Sequence, residues 1–347
     1  MMKSKVTIQE IADFTGVSKF AVSRALSGKS GVSPQTREMI LKAAGQLGYF
    51  KDQPGHTGGR SELQDPENRK WAGAVLVLFP NVRYQNRESL YWGPVFDGIS
   101  TRLNQRGLDI LTLTEPSNDH MFSLLNPQGL LGIVTVGSVS TQNLMDIKKL
   151  NIPVVMVDHM DPAFQSDTIF TDNLYGMRQM MTKLVSRGYK KYQFIGNISD
   201  APSFYERYLG FTSVLADYKI EHRQIPELIS PEIDQDLAAT LSKALAGQEL
   251  PEVFVCNNDI TAMFAMDILK QRGIEVPGDV QFTGFDNTYD QLPILATVNI
   301  DKELLGMRAV DQLLWRITNP DSGYERILIQ ADVIVRDLQQ PSRGETD

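Results

Sequence analysis

The chain has 347 residues, 42% of them hydrophobic, with 34 Lys/Arg against 42 Asp/Glu for a net charge of −8 at pH 7. That length exceeds one typical domain and sustains two or three packed units. A single cysteine, Cys256, excludes an internal disulfide or a multi-cysteine metal site; no run of about 18 uncharged apolar residues offers a membrane helix, and without an apolar signal segment the expected compartment is the cytoplasm.

The first elements are short helices. Thr7 and Glu10 have the spacing of a capping box, so a helix is predicted from Ile8, with Ile8, Ile11, Ala12 and Thr15 on one face. Gly16 supplies the positive φ of a tight turn, Val17 packs inward, and Ser18 caps a second helix. On that helix Val22, Ala25 and Leu26 form the apolar side, while Lys19, Phe20, Ser23 and Arg24 point elsewhere. A third helix is predicted from Ser33 and Pro34 to Leu47, before Gly48. A helix-turn-helix places the start of its second helix against base edges in the major groove. Lysine and arginine there donate to guanine, and phenylalanine offers apolar contact to a thymine methyl. Lys19, Phe20 and Arg24 are therefore the candidate base-reading residues, with Ser18 and Ser33 placed to hold phosphates. Charge agrees: residues 1–51 hold eight Lys/Arg and three acids, a net of +5, which leaves −13 on the remainder.

VTI, GVSKFAVSRALS, VSPQTR and LGY match a known pattern, and the segment closely resembles the DNA-binding headpiece of the lactose/galactose repressor (LacI/GalR) family. Ala21 stands for the family's usual threonine and Ser27 for its asparagine, implying one phosphate contact fewer on an intact framework. With Thr7, Ala21 and Ser23 added, the candidate DNA-binding set is Thr7, Ser18, Lys19, Phe20, Ala21, Ser23, Arg24 and Ser33.

From residue 49 to 71 the sequence turns rich in Pro, Gly and charge and reads as a linker. In the resembled family the corresponding segment usually reads P-N-x-x-A-R-S-L and forms a short helix whose leucine wedges into the minor groove. Here Lys51 and Asp52 occupy the Pro-Asn slots and Gly58 the leucine slot, and Gly58 and Gly59 each oppose a helix by about 1 kcal/mol. Either DNA bending is weaker, or Leu63 substitutes from a shifted register.

After Trp71, strands and helices alternate: AGAVLVLFP, DILTLT, LLGIVTVG and PVVMVDH as strands in a first series, then YQFIG, VFVCN and VQFTGF in a second, with helices between. Continuous apolar runs of this kind suit parallel sheets covered on both faces. The expected fold class is α/β, two doubly wound parallel-sheet subdomains preceded by an all-α helix-turn-helix headpiece, and the family resemblance implies that the body is periplasmic-binding-protein-like. The predicted division is 1–48 headpiece, 49–71 linker, 72–174 plus 301–327 for one subdomain, and 175–300 plus 328–347 for the other. Ligands of such sheets bind outside the strands' carboxyl ends, so the site is expected between the subdomains.

The resemblance continues through VVMVDH, FTDNLYG, ERYLGF, CNNDITAM, VPGDVQFTGFDN and LATVNIDKELLG. It implies an effector site made by Asp158, Arg207, Asn258 and Asp286, with Tyr91 and Trp92 as the aromatic pair, and Val136 where some sugar-binding members place asparagine. Such a set suits a sugar, with donors and acceptors for hydroxyls and an aromatic platform for the apolar face. Asp172 and Asp259 read mainly as turn or helix caps. An acid/base enzyme built on Asp158, Asp172 and Asp286 is the competing class, but no P-loop, dinucleotide fingerprint, nucleophile elbow or zinc motif accompanies it, and His56, His120, His159 and His222 lack ligand spacing. No cofactor or metal is expected. The resemblance implies a homodimeric repressor of a near-palindromic operator released by a sugar or sugar derivative; the opposite sign, with a corepressor such as a nucleobase, stays open.

Overall fold

The computed structural model describes residues 7–26, 32–47, 71–79, 89–113, 127–221 and 223–337. Linker residues 49–70, with the alternatives at Gly58 and Leu63, lie outside them, as do Ser27, His56, His120 and His222.

Helices α1 (Ile8–Thr15), α2 (Lys19–Leu26) and α3 (Pro34–Leu47) form the head. Both halves of the capping box are present, the Thr7 N–H donating to Glu10 Oε2 at 2.7 Å and the Glu10 N–H to Thr7 Oγ1 at 3.3 Å. Gly16 ends α1 at φ 68°, left-handed backbone that costs glycine nothing. Ile11, Ala12, Val22, Ala25, Ile40, Ala43 and Ala44 bury one small core.

The body contains two sheets. The first comprises β1 (Ala74–Leu78), β2 (Asp109–Leu113), β3 (Leu130–Val136), β4 (Val154–Val157), β5 (Asp167–Thr171) and β10 (Arg326–Ile329), in the order β10-β5-β4-β3-β1-β2, all parallel. The second comprises β6 (Tyr192–Ile195), β7 (Val253–Cys256), β8 (Gln281–Thr283), β9 (Ala296–Asn299) and β11 (Asp332–Val335), in the order β11-β9-β8-β7-β6. The helices between them are α4 (Trp92–Gln105), α5 (Thr141–Lys148), α6 (Asn173–Ser186), α7 (Pro202–Asp217), α8 (Glu232–Gln235), α9 (Leu237–Leu245), α10 (Asp259–Lys270) and α11 (Lys302–Thr318). Valines and isoleucines of β1, β3 and β4 are buried, as parallel strands between helical layers require.

The second sheet is parallel except for one edge strand. β10 leaves the first sheet and, two residues later, the chain enters the second, where β11 lies antiparallel to β9. The strand has no room to reverse, so it closes the edge against the prevailing direction. The crossing also falls at residues 330–331, because β10 pairs with β5 through Ile329; the split after 327 would cut a strand.

α4 and α11 pack closely beneath the first sheet through two glycines. A Cβ on Gly98 would strike the Glu303 carbonyl, and one on Gly306 the Val95 carbonyl. Gly306→Ala is therefore expected to cost about 1–3 kcal/mol by overpacking, measurable as a lower urea midpoint at unchanged slope.

Candidate functional site

The head presents its predicted face outward. Lys19 and Ser23 are exposed, Phe20 is 69% exposed, and Val22 and Ala25 are turned into the core. The Arg24 guanidinium carbon lies 5.3 Å from the centre of the Phe20 ring, so the aromatic and the cation form one surface. Ser18 and Ser33 act first as caps: Ser18 Oγ accepts from the Ala21 N–H at 3.2 Å and Ser33 Oγ from the Thr36 N–H at 3.1 Å. A capping hydroxyl accepts through a lone pair and keeps its own O–H, so capping and phosphate contact are compatible. Ala21 is half-buried, and Thr7 is occupied by the capping box. Phe14, 61% exposed at the end of α1, is an exposed aromatic of the head that the periodicity did not single out.

A second constellation forms where strands end. Asp158 follows β4, Asn257 and Asn258 follow β7, Asp286 follows β8, Tyr91 precedes α4, and Arg207 lies on α7. Arg207 is 2% exposed, and one terminal nitrogen sits 2.9 Å from Asp286 Oδ1. Its Nε donates to Asn173 Oδ1 at 3.0 Å, another terminal nitrogen donates to the Asn257 carbonyl at 2.6 Å, and its plane lies 3.8 Å from the Phe285 ring centre. Tyr91 Oη donates to Asp158 Oδ2 at 3.3 Å. Burial pushes the Tyr91 hydroxyl well up, with Asp158 and Asp286 adding to it and Arg207 opposing. Tyr91, Asp158, Arg207 and Asp286 thus share one electrostatic site.

Burial also raises Asp158 to about 7, against the pull of Arg207. A carboxyl raised in the folded state favours folding below its ordinary pKa of 3.8, and that contribution fades as pH rises through about 7. Asp158→Asn should therefore gain stability over the natural chain as pH goes from 4 to 8, read from paired urea unfolding curves. A difference independent of pH would contradict the burial of Asp158.

The remaining predicted residues have other partners. Trp92 packs edge-on to Tyr91, with ring centres 4.6 Å apart. Asn258 caps α10, its Oδ1 accepting from the Thr261 N–H at 2.8 Å, which leaves its amide nitrogen for other contacts. Asp259, expected as a cap, is instead fully buried, accepting from Thr297 Oγ1 at 2.8 Å and the Thr288 N–H at 2.6 Å. The adjacent asparagine, with its extended backbone, takes the cap and frees the aspartate to turn inward. Asp172 does cap α6, accepting from the Tyr175 N–H at 3.1 Å, so it stands apart from an acid/base set. Val136 is wholly buried and lends the site nothing polar. His159 is half-buried beside the Val139 carbonyl. Among the described residues no group of three or more His, Cys, Asp or Glu could hold a metal ion, and no helix is long and apolar enough to cross a membrane.

Sequence reasoning missed Asn173 and Asn257. Both are buried asparagines beside strand ends, and their shared role in holding Arg207 depends on contacts 34 and 50 residues away. Backbone strain adds a second signal: Asp158, Asp286 and Asn287 all have positive φ, at 53°, 95° and 47°. Each is costly for a residue with a side chain, and such strain gathers at binding sites.

A helix-turn-helix head thus precedes a two-sheet body that gathers Tyr91, Asp158, Arg207 and Asp286 near its strand ends. Comparison with known proteins agrees: residues 7–52 match the model described as bacterial regulatory proteins, lacI family, and residues 181–337 match a periplasmic binding protein-like domain. The head thus matches a lacI-type DNA-binding segment, and the latter part of the body a periplasmic binding protein-like domain. It is similar to the HTH-type transcriptional repressor PurR of Haemophilus influenzae, 26% identical over 95% of this chain and 97% of that one. It is also similar to the HTH-type transcriptional regulator MalR of Streptomyces coelicolor, 26% identical over 97% and 98% of the two chains. Of solved structures, a transcriptional regulator CelR–cellobiose complex shares its fold at TM-score 0.64 and 23% identity, covering 96% of this chain and 99% of that one. The lac repressor dimer bound to operator and an anti-inducer does so at TM-score 0.59 and 21% identity, covering 96% and 98%.

Proposed function

We propose that this protein is a repressor that binds a near-palindromic operator as a homodimer and is controlled by a sugar or sugar derivative held between its two sheets. Each head takes one half-site, with Lys19, Phe20 and Arg24 against base edges and Thr7, Ser18, Ala21, Ser23 and Ser33 near the backbone. Arg24→Ala should cost about 1–3 kcal/mol of operator affinity and relax preference at one base position. Binding to a library randomised at each position checks this; a variant with undiminished selectivity would remove Arg24 from the reading face.

The observation that carries the effector reading is the hydrogen-bond balance of the cleft. Buried, unpartnered polar atoms there include Asp158 Oδ1 and Asp286 Oδ1, carboxylate oxygens that accept when ionised. Asp286 Oδ1 lies close to Arg207 as a charge contact, outside directed hydrogen-bond geometry. A ligand rich in O–H donors satisfies this set, and Tyr91 and Trp92 suit the apolar face of a sugar ring. Arg207, Asp286, Asp158 and Asn258 are the proposed polar contacts. A nucleobase acting as corepressor is the second reading, favoured by the PurR relatives and by the same aromatic pair.

Titration calorimetry of the purified protein with maltose, cellobiose, ribose, hypoxanthine and guanine separates the two. Binding of a saccharide that lowers operator affinity supports the proposal. Binding of a base that raises operator affinity supports the alternative.

A further inference from the structure

Lys302 opens α11, a helix packed on the first sheet and on α4, yet its ammonium group belongs to the second half of the body. Its side chain is almost wholly buried, and Nζ donates to the carbonyls of Asp286 and Ile300. Asp286 is the strained acid of the cleft, with φ 95° and its N–H donating to the Val298 carbonyl at 2.8 Å. The loop after it is held at three further points: Asn287 Nδ2 to Asn299 Oδ1 at 3.0 Å, the Asn287 N–H to Thr297 Oγ1 at 3.3 Å, and the Thr288 N–H to Asp259 Oδ2 at 2.6 Å. All of those anchors come from the second sheet or its helix α10. Lys302 alone among these anchors comes from a helix of the first.

Burying an ammonium is costly, and burial does draw the Lys302 pKa down, while Asp286, Asp259, Asp290 and Asp301 oppose that shift. A methionine would fill a similar volume without that cost, so the charge calls for a reason beyond packing. The helix it starts supplies one. One residue on, the Glu303 carbonyl packs against Gly98 of α4, and Gly306 packs against Val95, so α4 and α11 touch backbone to backbone. α4 in turn begins at Tyr91 and Trp92, the aromatic part of the first half's contribution to the site.

We propose that Lys302 is a positioning residue: it fixes the strained backbone at Asp286 and ties that acidic loop to the α4–α11 helix pair on the opposite side of the cleft. A ligand that draws on the Asp286 carboxylate then loads α11 through one side chain and shifts it against α4. That regulatory consequence rests on the cleft being the effector site; the tie itself does not.

Hydrogen exchange of the full-length protein without added ligand tests the tie, comparing the natural chain with Lys302→Met and Lys302→Arg. In Lys302→Met the amides of Asp286 and Thr288 and those in the first turn of α4 should exchange about tenfold faster, while α9 and β1 stay unchanged. Lys302→Arg, which still donates to both carbonyls, should restore protection at both places. Unchanged exchange at the loop overturns the proposal, and so does a faster loop with an unchanged α4. If Lys302→Met loses protection throughout, Lys302→Gln must still show the two-place pattern; global loss in that variant as well would make Lys302 a general core residue and overturn the proposal. With no ligand present, the result is independent of which molecule the cleft binds.

Discussion

Arg207→Ala is expected to abolish the effector response and to lower stability by about 3–5 kcal/mol, the usual cost of stripping one partner from a buried charge pair. Three things are lost together. Asp286, 8% exposed, is left without its counter-charge; the Asn173 Oδ1 and the Asn257 carbonyl lose their donor; and the face of Phe285 loses the guanidinium stacked on it. Asp286→Asn should be milder for stability, because Arg207, though stripped of that counter-charge, keeps its donations to Asn173 Oδ1 and the Asn257 carbonyl and its stacking on Phe285, yet it should blunt the effector response as fully. Urea unfolding and operator titration, with and without effector, separate the two variants. A stability loss under about 1 kcal/mol for Arg207→Ala would mean the pair is solvated rather than buried.

Arg316→Ala should cost a similar amount, about 3–5 kcal/mol, without changing base preference. Arg316 grips Asp167 in a fork, Nε to Oδ2 at 2.6 Å and a terminal nitrogen to Oδ1 at 2.8 Å. It also donates to the carbonyls of Ser322 at 2.6 Å and Gly323 at 2.8 Å, and Asp167 accepts from the Glu325 N–H at 2.8 Å. The pair therefore pins the end of α11 to β5 and to the turn that leads into β10. Arg316→Lys should recover only part of the loss, since an ammonium cannot supply the planar fork. Full recovery by lysine would show that charge alone holds the turn.

The two residues also mark where sequence reasoning was strong and where it stopped. The head was legible almost residue by residue, because capping, the turn glycine and helical spacing are all local. The continuously apolar strands β1, β3, β4 and β7 were legible for the same reason. β5, β9, β10 and β11 were not, because polar residues such as threonine, arginine and aspartate interrupt their apolar pattern. Their pairing is set by crossovers from distant parts of the chain, and Asp167 inside β5 makes sense only once Arg316 arrives 149 residues later. In the cleft, the residues singled out as Tyr91, Asp158, Arg207 and Asp286 do meet, whereas Asn173, Asn257, Asp259 and Lys302 hold them from positions that carry no local signature.

The central claim is that this chain reads a specific operator and releases or holds it in response to a small molecule. The most direct test is to incubate the purified full-length protein with fragmented genomic DNA from its source at moderate salt and sequence what is retained. Salt must be high enough to suppress phosphate-driven binding, which the +5 head would otherwise supply without specificity. The account predicts recovery of a short near-palindrome, with half-sites spaced for two heads. Retention without any shared sequence would contradict it.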